Sequence, residues 1–315
     1  MIKIFSLSKK ELKEINSKEI SKDKNTSYWI DFTDSNSGEI KLIRDLFDIH
    51  PTTEEDILSN QTRTKYEEFE ENTTIIFHGI KRLGATSIKT YNLSFIIGKN
   101  YLITSHLKAN ESIDFLINNK RKLGNLMEKG IGYVFHHLLD KEIDKGIQIK
   151  RNIFEKFKQL ERKFINNPEG EVLEELFEKE LIIIEMGEVM ESLTDLCFSL
   201  TKQTDNYIDN ELLPYFRDIY DHSFKTTESL ISMLKRINGM RNAYQTMTSN
   251  RLNETMKILT MIMAIMMPFT IVSGFYGMNV GLPFKEDPNV WIVLLIAMMG
   301  ISTIMYFIIK RIKVR

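Results

Sequence analysis

Two long uncharged runs near the C-terminus constrain the fold of this chain more than any other feature. They span 258–276 and 290–309, and each contains about twenty residues without Asp, Glu, Lys or Arg. A helix rises about 1.5 Å per residue, so about twenty apolar residues cross the hydrocarbon core of a bilayer. The runs therefore predict a membrane hairpin, although 27% of all residues in the chain are charged.

The basic tail after the second run predicts the orientation of the hairpin. Loops and tails on the cytoplasmic side of a membrane carry an excess of Lys and Arg. We therefore expect a multi-pass protein of the inner (plasma) membrane with cytoplasmic N- and C-termini and an external loop at 280–289. Binding of the tail to anionic lipid is a competing interpretation. The tail at 310–315 contains Lys310, Arg311, Lys313 and Arg315.

The rest of the chain excludes several classes of protein. The single cysteine, Cys197, rules out an internal disulfide, which fits a reducing compartment. The N-terminus lacks the apolar run of a signal peptide. The sequence contains no Walker phosphate loop, HExxH zinc site or GxSxG elbow. We therefore do not expect an enzyme, an organic cofactor or a nucleic acid partner.

Residues 1–130 predict an α/β domain. A turn signal at 98–100 lies between two segments that favour strands. Helices are expected at 38–47, at 53–58 with its start signal at Thr52 or Thr53, and from near Glu111 onwards. Four segments rich in β-branched and aromatic residues predict strands at 27–32, 73–80, 91–97 and 101–105.

Residues 131–214 predict a charged helical region with a break near 166–170. Four glutamates in its second half recur at helical spacing and form an acidic face. This face is either a solvated helix surface or a surface that attracts cations near a permeation path. Its members are Glu171, Glu174, Glu175 and Glu178.

Residues 215–279 predict one very long stalk helix that continues into a first membrane segment at about 257–277. Apolar residues between Leu230 and Met247 fall three or four apart and share one face. Such a helix would be on the order of 90 Å long. Its apolar stripe needs partners, most simply copies of itself. The second membrane helix is expected at 290–309.

One stripe of the first membrane helix has the composition of a narrow pore lining. Its residues recur every three or four positions and combine two oxygen-bearing side chains and a glycine with Met and Leu. Several copies around an axis would turn these positions into rings, and the apolar rings would gate by dewetting. Methionine as packing filler is the alternative. The stripe consists of Asn253, Met256, Leu259, Met263, Met267, Thr270 and Gly274.

The first membrane segment ends in the sequence YGMN at 276–279, which resembles the motif of the CorA-type magnesium transporter family. The motif lies at the outer end of the first of two C-terminal membrane helices, as it does in that family. Five other stretches are similar to family blocks, so the resemblance covers most of the chain. They are 50–58 (HPTTEEDIL), 101–106 (YLITSH), 215–222 (YFRDIYDH), 253–260 (NETMKILT) and 267–270 (MPFT).

The resemblance implies a funnel-shaped homopentamer with a cytoplasmic α/β domain, an all-α stalk and two C-terminal transmembrane helices. Gly277, Met278 and Asn279 would form the selectivity filter of a passive, potential-driven Mg²⁺ channel. Mg²⁺ sheds its water reluctantly, and a ring of neutral Asn279 amides can hydrogen-bond to that water without displacing it. The basic tail at 310–315 would form a collar around the intracellular mouth.

The resemblance also implies that Mg²⁺ is regulatory as well as transported. Asp218 on the stalk and Glu55 and Asp56 in the α/β domain match acidic positions that face each other between neighbouring subunits. High cytoplasmic Mg²⁺ would bridge these carboxylates and close the pore, and low Mg²⁺ would leave them repelling each other. The alternative for Glu55 and Asp56 is a favourable charge at a helix N-terminus.

Two other functions stay open at this point. One is a transporter of the same family for Zn²⁺, Co²⁺ or Ni²⁺. The GMN sequence favours Mg²⁺ over this alternative. The other is a membrane-anchored sensor without flux, which predicts monomers or dimers. The expected partners are further copies of the chain, membrane lipid and divalent cations.

Overall fold

The computed structural model describes residues 2–21, 23, 25–34, 37–59, 63–83, 87–168, 170–202, 207–281 and 288–312. The chain divides into two compact units, Met1–Gly239 and Met240–Arg315. The predicted boundaries at residues 130 and 214 fall inside the first unit, and the division there into separate functional regions stays a prediction.

The first unit is built on a seven-stranded mixed sheet. Its strands are β1 (Ile2–Ser8), β2 (Glu11–Ile15), β3 (Ser27–Thr33), β4 (Lys65–Glu68), β5 (Thr73–Leu83), β6 (Ser87–Ile97) and β7 (Tyr101–His106), in the order β2-β1-β3-β7-β6-β5-β4. Strands β3 and β7 pair in parallel, and the other neighbours are antiparallel. The four predicted strands are confirmed, and the turn signal at 98–100 joins β6 to β7 as predicted.

The sequence analysis missed three strands, all toward the two edges of this sheet. Strands β2 and β4 read ELKEI and KYEE, which are rich in charged residues that disfavour strands. Charged edge strands are common because they discourage pairing with another chain. Their conformation follows from the neighbouring strand that they pair with, so local composition does not reveal it.

Helices cover both faces of the sheet. On one face, Ile43 and Ile49 pack in a cluster with Tyr28, Ile30 and other buried side chains of the central strands. On the other face, the ring of Phe135 lies edge-on to Phe95, with centroids 5.3 Å apart. The helices of the first unit are α1 (Ser37–Phe47), α2 (Pro51–Leu58), α3 (Glu111–Asn118), α4 (Lys120–Lys129), α5 (Ile131–Asn166) and α6 (Gly170–Lys202).

A single helix, α7 (Leu213–Tyr276), contains 64 residues and extends from the first unit into the second. Its predicted start near residue 215 and end near residue 277 are confirmed. Helix α8 (Val290–Ile312) follows in the second unit. Both helices contain a stretch long and apolar enough to cross a membrane.

Candidate pore helix and acidic sites

The end of α7 carries the residues expected to form the filter. The backbone N–H of Gly277 donates to the carbonyl of Ser273 (2.9 Å), and that of Met278 donates to the carbonyl of Phe275 (3.3 Å). A Cβ atom at position 277 would lie 3.0 Å from the Ser273 oxygen, closer than nearly all such contacts. A side chain at position 277 would therefore require the Ser273 carbonyl to shift by a few tenths of an ångström. The backbone of Gly277 does not have a positive φ; among the described glycines, Gly130 does.

Helix α8 covers one face of α7. The hydroxyl of Ser302 donates to the carbonyl oxygen of Ile265 (2.9 Å), and Ser302 is buried. Between residues 251 and 276, the half-buried residues of α7 recur at helical spacing, and they lie on the same side of the helix as Ile265. These residues are Met261, Ala264, Ile265, Pro268, Phe269, Val272 and Tyr276.

The predicted pore stripe lies on the opposite face of α7. Successive residues of an α-helix are rotated by about 100°, so Met263 and Met267 point about 160–200° away from Ile265. All seven stripe positions, from Asn253 to Gly274, are exposed in the chain. The Thr270 hydroxyl donates to the carbonyl of Met266 (3.2 Å), and its oxygen can still accept a hydrogen bond. The stripe thus lies on the side of α7 away from the Ser302 contact.

Asn279 follows the last turn of α7 in an exposed bend. Its amide makes no hydrogen bond with the described part of the chain. A side-chain amide offers one oxygen acceptor and two N–H donors. Asn279 can therefore present its amide to a ligand outside this chain.

The helix-start prediction for α2 was wrong in its capping residue. His50 is the N-cap, because its Nδ1 accepts the backbone N–H of Thr52 (3.3 Å) and contacts the Thr52 hydroxyl (2.7 Å). Pro51 occupies the first helical position, where its missing N–H costs nothing. Asp56 lies beyond the first turn, where the field of the helix terminus is weak.

Asp56 is already paired within the chain. Its carboxylate forms an ion pair with Lys65 of β4, and Lys65 also contacts Glu67 (3.0 Å). Burial acts to lower the pKa of Lys65, but the hydrogen bonds to Asp56 and Glu67 outweigh burial and raise that pKa above its usual value. A cation at Asp56 must therefore compete with a lysine that stays charged.

Glu55 and Asp218 are more accessible. Glu55 is exposed and has no ion pair with the described residues. The side chain of Asp218 on α7 is 71% exposed, and one of its oxygens lies 3.8 Å from Nε2 of His222, one turn along the helix. Both carboxylates are open to a ligand from outside the chain.

Within the described residues, no three His, Cys, Asp or Glu side chains converge to hold a metal ion. A regulatory ion at Asp218 would therefore need ligands from water or from another copy. The acidic residues of α6 are largely exposed, and Glu175 pairs with Lys163 (3.4 Å), as expected of a solvated helix face. In the predicted basic collar, Arg311 is exposed, whereas the Lys310 side chain, Lys313 and Arg315 lie outside the described parts of the chain.

Sequence reasoning missed two residues that shape these sites. Lys65 neutralises Asp56, and the pairing of β4 with β5 places it there. Ser302 fixes the face of α7 that α8 covers. The hydroxyl of Ser302 within an apolar run was a usable signal, since polar side chains in membrane helices often bond to a neighbouring helix. Nothing in the local sequence pointed to Lys65.

Comparison with known proteins identifies the family that the chain matches. The sequence model of a family described as CorA-like Mg²⁺ transporter protein matches residues 24–311. The cobalt/magnesium transport protein CorA of Thermotoga maritima is 28% identical over 288 residues, which cover 88% of this chain and 82% of that protein.

Two solved structures share the fold. The complete structure of the CorA magnesium transporter from Methanocaldococcus jannaschii matches with a TM-score of 0.79 at 22% identity, covering 99% of this chain and 98% of that one. The soluble domain of the same transporter matches with a TM-score of 0.64 at 21% identity, covering 76% of this chain and 95% of that domain.

Proposed function

Because this chain belongs to the CorA-like Mg²⁺ transporter protein family, we propose that it is a passive Mg²⁺ channel that cytoplasmic Mg²⁺ closes. The resemblance read from residues 276–279 is confirmed. The chain is a membrane protein of a divalent cation transport family and not an enzyme. The choice of ion, the assembly and the gating are our proposals.

The assembly we propose is a ring of identical chains, with five copies as the family resemblance implies. Two membrane helices cannot enclose a water-filled path, so several copies must surround an axis. The observation that carries this proposal is the placement of the Asn253–Gly274 stripe on the face of α7 opposite the Ser302 contact. In such a ring, α8 lies toward lipid and the stripe lies toward the axis.

The filter we propose is a ring of Asn279 amides at the outer mouth. The amide is exposed and makes no hydrogen bond within the described chain, so its oxygen is available to water bound to Mg²⁺. Hydrated Mg²⁺ is surrounded by six strongly oriented waters, whose hydrogens point outward and can donate to an oxygen acceptor. Neutral oxygens bind these waters weakly enough for the ion to leave, and the membrane potential then drives it inward.

We assign Mg²⁺ sensing first to Asp218, then to Glu55, and last to Asp56. Asp218 and Glu55 are exposed, whereas Asp56 is paired with Lys65. Mg²⁺ bound between copies would favour the closed arrangement, because a ligand shifts an equilibrium toward the state that binds it better. At low Mg²⁺ the unpaired carboxylates would repel one another and favour opening.

The filter is tested by Mg²⁺ uptake into proteoliposomes. We expect Asn279→Ala to lower the uptake rate by about tenfold or more, since losing one net hydrogen bond of about 1.4 kcal/mol in the rate-limiting step has that effect. Asn250→Ala is the matched control, because Asn250 is exposed on α7 outside the stripe. Equal uptake by the Asn279 variant and wild type would remove the filter role.

The same liposomes separate the alternatives. A sensor without flux predicts no Mg²⁺ uptake in wild type. A Zn²⁺, Co²⁺ or Ni²⁺ transporter predicts that one of these ions enters faster than Mg²⁺ at equal concentration. The mass of the complex in mild detergent tests the ring, and a monomer or dimer would contradict it.

The sensor is tested by protection of the chain from protease when Mg²⁺ is added. We expect Asp218→Lys to reduce that protection severalfold, because the lysine repels the ion that bridges two copies. Glu155→Lys is the matched control, since Glu155 is an exposed carboxylate on α5. If Asp218→Lys keeps wild-type protection, Asp218 is not a sensor.

A further inference from the structure

A cavity of about 350 Å³ opens on the first unit, away from the residues discussed so far. Strands β5 and β6, the connection from β7 to α3, and helix α5 each contribute part of its lining. This volume lies at the lower end of the range for sites that hold small organic molecules. The cavity is large enough for a ligand bigger than a single inorganic ion.

Four lysines line this cavity, one from each of the four segments. They are Lys81 of β5, Lys89 of β6, Lys108 before α3 and Lys145 of α5. Lysines on separate segments that face a common space repel one another unless an anion lies between them. The cavity is therefore a region of positive potential on a chain whose net charge is −1.

Carboxylates of the chain neutralise only part of this charge. The exposed Glu111 lies 3.9 Å from Lys81, which is a weak surface contact. Glu142 forms an ion pair with Lys145, with 2.8 Å between Oε1 and Nζ. Lys89 and Lys108 form no ion pair with the described residues. Two ammonium groups from different segments thus remain for an anion from outside the chain.

The buried carboxylate of Glu142 forms hydrogen bonds with several residues that line the cavity. One oxygen accepts from Asn110 (3.2 Å), Ser112 (2.9 Å) and Lys145, and the other accepts the hydroxyl of Tyr91. Burial and the charge of Glu142 raise the pKa of Tyr91, so its hydroxyl stays a donor. Three of these partners line the cavity, which is thus shaped before any ligand arrives.

We propose that this cavity binds a soluble anion that carries two or more phosphate groups. Lysine ammonium groups bind phosphate oxygens as point charges, and Lys89 and Lys108 approach from different segments. Two separated cations match two phosphate groups better than one. The amide of Asn152 adds a neutral donor, and Ile80 and Ile149 give an apolar wall for an organic group.

The probes are sodium tripolyphosphate and ATP, titrated calorimetrically into the full-length protein in detergent. Metal-free buffer at about 0.15 M NaCl excludes binding through divalent ions and screens long-range attraction. We expect wild type to bind at least one probe and Lys89→Gln/Lys108→Gln to bind it about tenfold more weakly, as two partly screened charge contacts imply. Binding of both probes assigns recognition to the phosphates, and binding of ATP alone adds the organic group.

The matched control is Lys99→Gln/Lys158→Gln, which removes the same charge at exposed positions outside the cavity. It should bind as wild type does. Equal weakening by the two double variants would reduce the effect to general charge and overturn the proposal. Absence of binding of either probe to wild type would overturn it as well. The four substituted lysines all have exposed side chains, and the elution volume of each variant checks that it remains folded. They are Lys89, Lys108, Lys99 and Lys158.

Discussion

The two units of the chain differ in whether their apolar side chains are buried or exposed. The first unit buries its largest ones completely, with the rings of Phe5 and Trp29 stacked at 5.5 Å. In the second unit, Ser302 and the boundary residue Met240 are the buried members of the described part, and large apolar residues such as Leu259 and Trp291 are exposed. The first unit is thus complete within one chain, whereas the second needs lipid or other copies to cover it.

Polar groups show the same contrast. In the first unit, buried Asp31 and His106 form a contact of 3.3 Å, and the other ring nitrogen of His106 lies 2.6 Å from the carbonyl oxygen of Lys108. Burial acts to lower the pKa of His106, but these contacts outweigh burial and raise it. In the second unit, hydroxyls such as that of Thr260 donate to their own helix, and Ser302 reaches another helix. The polar groups of the first unit form buried hydrogen-bond networks, whereas those of the second unit bond along one helix or between two helices.

The largest expected effect separates the two tryptophans of the chain. Trp29→Ala removes a fully buried ring and its hydrogen bond to Thr104 (3.2 Å), so we expect a loss of about 3–5 kcal/mol in stability. Trp291→Ala, at a side chain that is 63% exposed, should change stability by less than about 0.5 kcal/mol. Denaturant unfolding followed by circular dichroism measures both. Similar losses in the two variants would contradict the division into a self-sufficient and a dependent unit.

A smaller effect is expected in the acid stability of the first unit. Burial, followed by Lys122 and Lys141, lowers the pKa of His137 to about 4, and its Nε2 is buried without a partner in the described chain. Neutral His137 contributes stability that is fully present above its pKa in the unfolded chain, about 6.5. This stability is lost as the pH falls toward its pKa in the folded chain, about 4. The ring is half-buried, so solvent screening reduces the effect.

The comparison is between wild type and His137→Gln. From pH 7 to pH 4.5 the unfolding midpoint of wild type should fall about 2–4 °C further than that of the variant, because the neutral variant binds no proton on unfolding. Thermal scans at both pH values supply the measurement. An identical fall in the two proteins would show that His137 titrates normally in the folded chain.

The smallest effect tests the second unit. Ser302→Ala removes the hydrogen bond to Ile265, which in a membrane is worth about 0.6 kcal/mol. Its neighbour Thr303 donates to the carbonyl of Met299 in its own helix, so Thr303→Ala is the matched control. Detergent-induced unfolding followed by circular dichroism should shift for Ser302→Ala and stay unchanged for Thr303→Ala. A larger shift for Thr303→Ala would place a different face of α8 against α7.

Local sequence patterns predicted the elements that carry strong periodicity. The β-branched strands β3, β5, β6 and β7, and the long helix α7, followed from spacing and composition. The charged strands β2 and β4 did not, because pairing with a neighbour overrides their propensity. The cap of α2 was misassigned because histidine is seldom an N-cap residue. Here the ring nitrogen of His50 accepts the Thr52 N–H.

For the candidate site, the spacing of Met263, Met267 and Gly274 grouped them on one face of a helix, and Asn279 followed from its motif. Spacing says which residues share a face, but it does not say what each face meets. The contact of Ser302 with Ile265 decided that the opposite face is covered, and the pairing of β4 with β5 decided that Lys65 meets Asp56. These contacts join residues distant in the chain, so their energies appear only once the tertiary structure has brought the elements together.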